Sequence, residues 1–179
     1  MTSILVTGGA GYIGSHTCIQ LIKNGYDVCI LDSLANSSEK IISNIKKIIS
    51  INDELNCGKL FFKKGDLRDG KFLDNIFMEF KEKDKHFSSV IHFAGLKSTE
   101  ESIKEPLKYW EVNLNSTLSL LASMNRFDCN TLVFSSSATI YDPNFKGRLK
   151  ENNPRKPINP YGETKLAIEK ILENLFISD

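Results

Sequence analysis

The chain predicts an α/β fold, a doubly wound parallel sheet with helices on both faces. Three observations predict it. Short apolar runs alternate with helical stretches along all 179 residues. The first run empties into a glycine-rich turn that opens a helix, and the second run ends in an acid. Strands and helices alternating at this spacing pack as a parallel sheet covered on both sides, with ligands at the carboxyl ends of the strands.

Ile4-Leu5-Val6 is the first buried strand, and Thr7-Gly8-Gly9-Ala10-Gly11-Tyr12-Ile13-Gly14 is the turn into the first helix. Gly8 and Gly9 allow a tight bend. Gly11 lets an anion approach the backbone, and Gly14 lets the helix pack close to the strand. Amides around Tyr12 and Ile13, aided by the helix dipole, then face a pyrophosphate. Leu21 and Ile22 continue the helix's apolar face, and Asn24-Gly25 stops it. Val28-Cys29-Ile30-Leu31 is a second strand ending in Asp32, placed to accept from both ribose hydroxyls of an adenosine. Its charge repels a 2′-phosphate, which favours NAD over NADP.

After the loop at Asn36-Ser37-Ser38, Ile41, Ile42, Ile45, Ile48 and Ile49 stripe a helix from Glu39 to Ser50. A polar break covers Asn52 to Gly58. Leu60-Phe61-Phe62 is the third strand, ending near Gly65-Asp66-Leu67, and a helix through Leu73, Ile76, Phe77 and Phe80 follows. Ser89-Val90-Ile91-His92-Phe93 is the fourth strand. Pro106 opens a long helix to about Asn125, proline being favoured in a first turn. Thr131-Leu132-Val133-Phe134 is the fifth strand and runs into Ser135-Ser136-Ser137. A polar loop with five punctuating residues, Pro143, Gly147, Pro154, Pro157 and Pro160, leads to a last helix from Tyr161 to Phe176.

The length suits one domain with a real core. A net charge of +1, with 25% charged residues, gives no electrostatic case for nucleic acid or an anionic membrane. No apolar run reaches spanning length and no signal-peptide pattern opens the chain. Cys18, Cys29, Cys57 and Cys129 are scattered without metal spacing, which fits a reduced, cytoplasmic compartment. His16 reads as a packing or capping group, His92 as a core hydrogen-bonding residue and His86 as part of a solvated helix end. Tyr109 and Trp110 read as core or interface residues.

Three further strand ends carry polar signals. Asp66 is placed to accept from an adenine amino group beside Leu67, and reads equally as an ordinary loop acid. Lys97 follows the fourth strand after the small pair Ala94-Gly95, across which a cofactor can lie. Tyr161 and Lys165 stand four residues apart at the start of the last helix, on one face. A fixed ammonium favours the phenolate, which can take a hydroxyl proton while a nicotinamide takes hydride from the same carbon. Ser137 can hydrogen-bond that oxygen.

With TGGAGYIGSH from Thr7, HFAGLK from His92, FSSSATIY from Phe134 and NPYGETK from Asn159, the chain resembles the extended short-chain dehydrogenase/reductases, and among them the UDP-glucose 4-epimerase family. The resemblance implies a Rossmann-like NAD-binding portion over residues 1–179, without the smaller domain that grips a UDP-sugar. It implies that Gly8, Gly11, Tyr12, Ile13 and Gly14 hold the pyrophosphate. Asp32, Ser33, Leu34, Ala35, Asn36 and Ser37 hold the adenosine ribose, and Asp66 and Leu67 flank adenine. Phe93, Ala94, Gly95, Leu96 and Lys97 line the cofactor channel, and Asn113 faces the cofactor. Tyr161 is the base, with Lys165 on the nicotinamide ribose and Ser137 assisting. In that family bound NAD oxidises C4 of a UDP-sugar and returns hydride to the other face, interconverting UDP-galactose and UDP-glucose. A homodimer through the 106–125 and 161–176 helices is implied as well.

Two segments depart from the family pattern: Ser98-Thr99-Glu100-Glu101-Ser102, where smaller residues usually precede a Glu-Ser pair, and Asp142 in place of glycine. Related 4,6-dehydratases set an Asp-Glu pair beside the threonine, where this chain has Ala138-Thr139-Ile140, which argues against elimination. Another 4-epimerase, or a non-catalytic NAD-binding or dimerisation module, are the alternative readings.

Overall fold

The computed structural model describes residues 2–51 and 57–178, so most of the polar break anticipated over 52–58 lies outside the described residues. The elements run β1 (Ser3–Thr7), α1 (Tyr12–Lys23), β2 (Asp27–Asp32), α2 (Glu39–Ile51), β3 (Leu60–Lys64), α3 (Gly70–Glu82), β4 (Phe87–His92), α4 (Thr99–Lys104), α5 (Pro106–Arg126), β5 (Leu132–Phe134), a 3-10 turn (Ala138–Ile140) and α6 (Pro160–Ser178). The chain divides into two compact units. One is Met1–Ala94 with Leu118–Ser135; the other is Gly95–Thr117 with Ser136–Asp179.

The first unit holds one five-stranded sheet of order β3-β2-β1-β4-β5, parallel throughout. The anticipated doubly wound α/β sheet is therefore present. The neighbouring strands β1 and β2 are buried along their whole length and carry continuous apolar runs because both faces are covered. Alternation along β1 sorts the side chains. Leu5 faces a cluster with Leu73, Ile76, Phe77 and Phe80 of α3 and Leu120 and Met124 of α5. Ile4 and Val6 face Cys18 and Ile22 of α1 and Ile42 and Ile45 of α2. Rings tighten the first cluster: Phe80 and Phe87 stack at 4.4 Å, and Phe77 meets Phe87 edge-on at 5.2 Å. Such pairs contribute about 0.5–1.5 kcal/mol each beyond their buried area.

At the opposite end of the sheet from the glycine turn, Asp27 is fully buried and accepts from Lys85 Nζ and the Lys59 N–H, both at 2.7 Å. The Lys85 ammonium also lies 5.1 Å from the Phe61 ring centre. His92 is buried in β4 and bonds Thr7 Oγ1 at 2.6 Å, the core role read from the sequence. His86 is not at a helix end, because α3 stops at Glu82; it lies exposed in the loop before β4.

The second unit contains α4, the first turns of α5, the 3-10 turn and α6. Helix α4 is an addition to the sequence reading. Its start is a capping signature, Ser98-Thr99-Glu100-Glu101: the Ser98 hydroxyl accepts the Glu101 N–H at 3.2 Å. It ends at Glu105, which precedes Pro106 and so leaves helical geometry, at φ −129° and ψ 59°. Helix α6 begins where Asn159 Oδ1 accepts the Gly162 N–H at 2.8 Å.

Candidate functional site

In the first unit the glycine turn leaves β1 with the Gly8 N–H donating to Leu31 O at 2.8 Å, and Gly8 has φ +68°. A Cβ on Gly8 would stand 2.6 Å from the Ala94 nitrogen, so this glycine is fixed by conformation and space alike. Gly14 is fixed by approach alone: its Cβ would stand 2.5 Å from Gly8 O. Gly11 is the N-cap of α1 and makes no side-chain cap bond. A Cβ there would meet only Gly8 O, at 3.2 Å. The first-turn amides thus open onto a concave turn without a side chain over it, which suits the pyrophosphate of a dinucleotide. The Tyr12 and Ile13 side chains stand away from the core, 79% and 62% exposed.

Asp32 is buried at the end of β2, and its carboxylate is already engaged. It accepts from the Ala10 N–H at 3.0 Å, the Leu34 N–H at 2.9 Å and the Ser37 hydroxyl at 2.9 Å. It joins the glycine turn to the following loop, in which Leu34 has φ +61° and Ser33, Ala35 and Asn36 are exposed. At the end of β3, Asp66 is gripped by Arg68: Nη2 lies 2.7 Å away, Nε 3.1 Å, and the Arg68 N–H donates at 2.9 Å. Hydrogen bonding and the charge of Arg68 hold the Asp66 carboxyl below its ordinary value. The sequence reading passed over Arg68, although a cation two residues after a strand-end acid was a visible signal. Leu67 is buried in the core, and Phe93 and Ala94 are half-buried after β4.

In the second unit, Gly95, Leu96 and Lys97 form a loop in which Lys97 is exposed and Gly95 has φ +147°. Asn113, buried on α5, holds that loop from both sides. Its Oδ1 accepts the Leu96 N–H at 2.7 Å, and its Nδ2 donates to Leu96 O at 3.1 Å and to Thr164 Oγ1 at 3.1 Å. The Asn113 amide is therefore committed to protein partners. Tyr109, one turn earlier on α5, is fully buried. Its hydroxyl accepts the Ser98 N–H at 3.0 Å and donates to Glu101 Oε2 at 2.8 Å.

Tyr161 and Lys165 lie in the first turns of α6, 9% and 5% exposed. Burial pushes the Lys165 ammonium down from 10.5 to about 8. Ser137 caps the 3-10 turn, accepting the Thr139 N–H at 3.2 Å and bonding the Thr139 hydroxyl at 2.9 Å. Gly162 lets α6 start against this turn, since a Cβ would stand 2.6 Å from Thr139 O. Ser137 also borders an open cavity of roughly 580 Å³ that Ser136, Tyr141, Arg155 and Glu169 help to line. Among the described residues no group of His, Cys, Asp and Glu is set to hold a metal ion, and no helix is long and apolar enough to cross a membrane.

The profile of the GDP-mannose 4,6 dehydratase family matches residues 5–178. The chain is 43% identical over 178 residues to UDP-glucose 4-epimerase of Bacillus subtilis, covering 99% of this chain and 49% of that protein. It is 45% identical over 177 residues to UDP-glucose 4-epimerase 2 of Arabidopsis thaliana, covering 99% and 48%. Among solved structures, UDP-glucose 4-epimerase from Bifidobacterium longum in complex with NAD+ and UDP superposes with a TM-score of 0.90 at 37% identity, covering 99% of this chain and 50% of that one. The chain spans about half the length of the curated relatives it matches.

Proposed function

The chain belongs to the GDP-mannose 4,6 dehydratase family, and on that premise we propose that it is the NAD-binding portion, residues 1–179, of an enzyme that interconverts UDP-galactose and UDP-glucose. The observation that carries the reading is the buried pair Tyr161 and Lys165 at the start of α6, one ammonium depressed to about 8 beside a phenol on the same helix face. A cation set one helical turn from the phenol favours the phenol's anion.

In this reading the amides of Tyr12 and Ile13 hold the pyrophosphate at Gly8, Gly11 and Gly14. Asp32 and the loop through Ser33, Leu34, Ala35, Asn36 and Ser37 hold the adenosine ribose, and Asp66 and Leu67 flank adenine. Phe93, Ala94, Gly95, Leu96, Lys97 and Asn113 line the channel. When bound, NAD supplies a reversible hydride acceptor. Tyr161 Oη takes the proton of the sugar C4 hydroxyl and later returns it; Ser137 Oγ donates to that same oxygen, and Lys165 orients the nicotinamide ribose. The solved epimerases of Bifidobacterium longum and Brucella ovis, described as complexes with NAD, support the cofactor. The name of the family points to dehydration, but the 3-10 turn offers only Ala138 and Ile140 beside Thr139, with no acid for elimination. A homodimer through the 106–125 and 161–176 helices and a cytoplasmic location complete the proposal.

Calorimetric titration of the chain with NAD and with NADP tests the cofactor. One NAD per chain, with NADP at least about tenfold weaker because of Asp32, is expected; a folded chain that takes up no NAD overturns the reading. The reaction is tested in a chimera that joins this chain to the second half of the Bacillus subtilis relative. Proton NMR should show UDP-glucose forming from UDP-galactose, and Tyr161→Phe should abolish it. A chimera that binds NAD and converts nothing overturns the catalytic assignment.

A further inference from the structure

Lys97 is bracketed. The residue before it, Leu96, is held by Asn113, and the residue after it, Ser98, is held by the hydroxyl of Tyr109. Tyr109 and Asn113 are four residues apart, hence stacked on one face of α5. Both also touch the first turns of α6. Asn113 Nδ2 donates to Thr164, whose own hydroxyl donates to Tyr161 O at 2.7 Å. The Tyr109 ring stands edge-on to the Tyr161 ring, at 6.4 Å between centres and 81° between planes.

Tyr109 is itself braced. Its hydroxyl donates to Glu101 Oε2, while Glu101 Oε1 accepts from Lys108 Nζ at 2.7 Å. Burial and the hydrogen bond to Glu101 push the Tyr109 phenol up to about 12, so it stays a neutral donor over the working range of proteins. A fully buried hydroxyl that both accepts a backbone N–H and donates to a carboxylate is satisfied and has one low-energy orientation. Glu101 supplies the acceptor that this orientation needs.

We propose that Tyr109, braced by Glu101, is a positioning residue: one side chain fixes the backbone that follows Lys97 through its hydroxyl and one edge of the Tyr161 ring through its own ring. The proposal deepens the NAD-dependent reading and rests on it for its functional consequence. The ammonium of Lys97 and the phenol of Tyr161 belong to different elements, a loop and a helix. A shared rigid contact makes their placement correlated rather than independent, which is what a preorganised site requires.

The test separates hydroxyl from ring. Tyr109→Phe keeps the ring and deletes the grip on Ser98. The Ser98 amide should exchange with deuterium about tenfold faster by NMR, as loss of one buried hydrogen bond implies. NAD affinity should weaken about three- to tenfold, with the Tyr161 ring resonances unmoved. Tyr109→Leu should move those resonances as well. Glu101→Gln keeps an acceptor for the hydroxyl and should restore exchange and affinity to near the wild-type values. Glu101→Ala, which leaves the buried ring in place, should shift both in the direction of Tyr109→Phe. Wild-type Ser98 exchange and NAD affinity in Tyr109→Phe overturn the proposal, as does a fall in melting temperature with neither readout changed. A wild-type chain that takes up no NAD overturns the cofactor reading instead, and Ser98 exchange with the Tyr161 resonances then decides the positioning role.

Discussion

Gly14→Ala sets two local effects against each other. Gly14 is in the first turn of α1, where alanine is favoured over glycine by about 1 kcal/mol. The added Cβ would stand 2.5 Å from Gly8 O and 2.8 Å from Gly9 Cα. Both are backbone atoms, so no side chain can rotate away and the turn and helix must part. Overpacking of that kind costs about 2–3 kcal/mol. The net loss is about 1–2 kcal/mol, and a chain of this size should melt roughly 2–8 °C lower. Gly70→Ala is the control: it opens α3, and nothing lies within 4 Å of its added Cβ. It should melt with the wild type or up to a few degrees above it. Parallel circular-dichroism melts decide the matter. A Gly14→Ala chain that melts at or above the wild type would show that the turn yields without cost, and the close-approach argument would fail.

Two further predictions concern pH. Burial raises the Asp27 carboxyl, but the hydrogen bonds and charge of Lys85 and the Lys59 N–H outweigh it and hold the group below 3.8. Its folded value is depressed, so its contribution is complete above 3.8 and fades as pH falls through the folded value. Urea midpoints measured from pH 2 to 7 should show that loss, and Lys85→Met should move it to higher pH while lowering stability at neutrality by about 1–3 kcal/mol. Lys165 behaves oppositely. With the folded group at about 8 and its ordinary value at 10.5, the unfolded chain binds more protons between them, so stability should rise from pH 8 to 10.5. Lys165→Met should remove that slope in the same urea titration.

The succession of strands and helices was legible because burial on both faces writes itself as short apolar runs such as Val28 to Leu31, bounded by turn residues. The glycine turn was legible for a similar reason: Gly8 and Gly14 leave no room for any other residue. What the sequence hid were partnerships set by the third dimension. That α4 stands apart from α5 was written locally, in the Ser98 cap and the Glu105-Pro106 stop, and was overlooked. The Tyr109 hydroxyl was not written at all. An aromatic ring on an apolar face has the same pattern whether its hydroxyl meets water or the Ser98 N–H. The grip of Asn113 on Leu96 was hidden likewise, since a polar residue's spacing does not show whether its groups are spoken for; that of Arg68 on Asp66 was signalled by the two-residue spacing and overlooked.

Asp32 is spoken for in just this way. A carboxylate offers roughly four lone-pair directions, and three are taken by Ala10, Leu34 and Ser37. An incoming diol therefore has one vacancy for two hydroxyls, and the second must evict a resident, of which the Ser37 hydroxyl is the most easily turned aside. Under the proposed NAD reading, recognition at this acid is then a swap of one donor for another, close to neutral in energy. Its outcome depends on whether the newcomer can donate at all, and a 2′-phosphate dianion has no proton to offer.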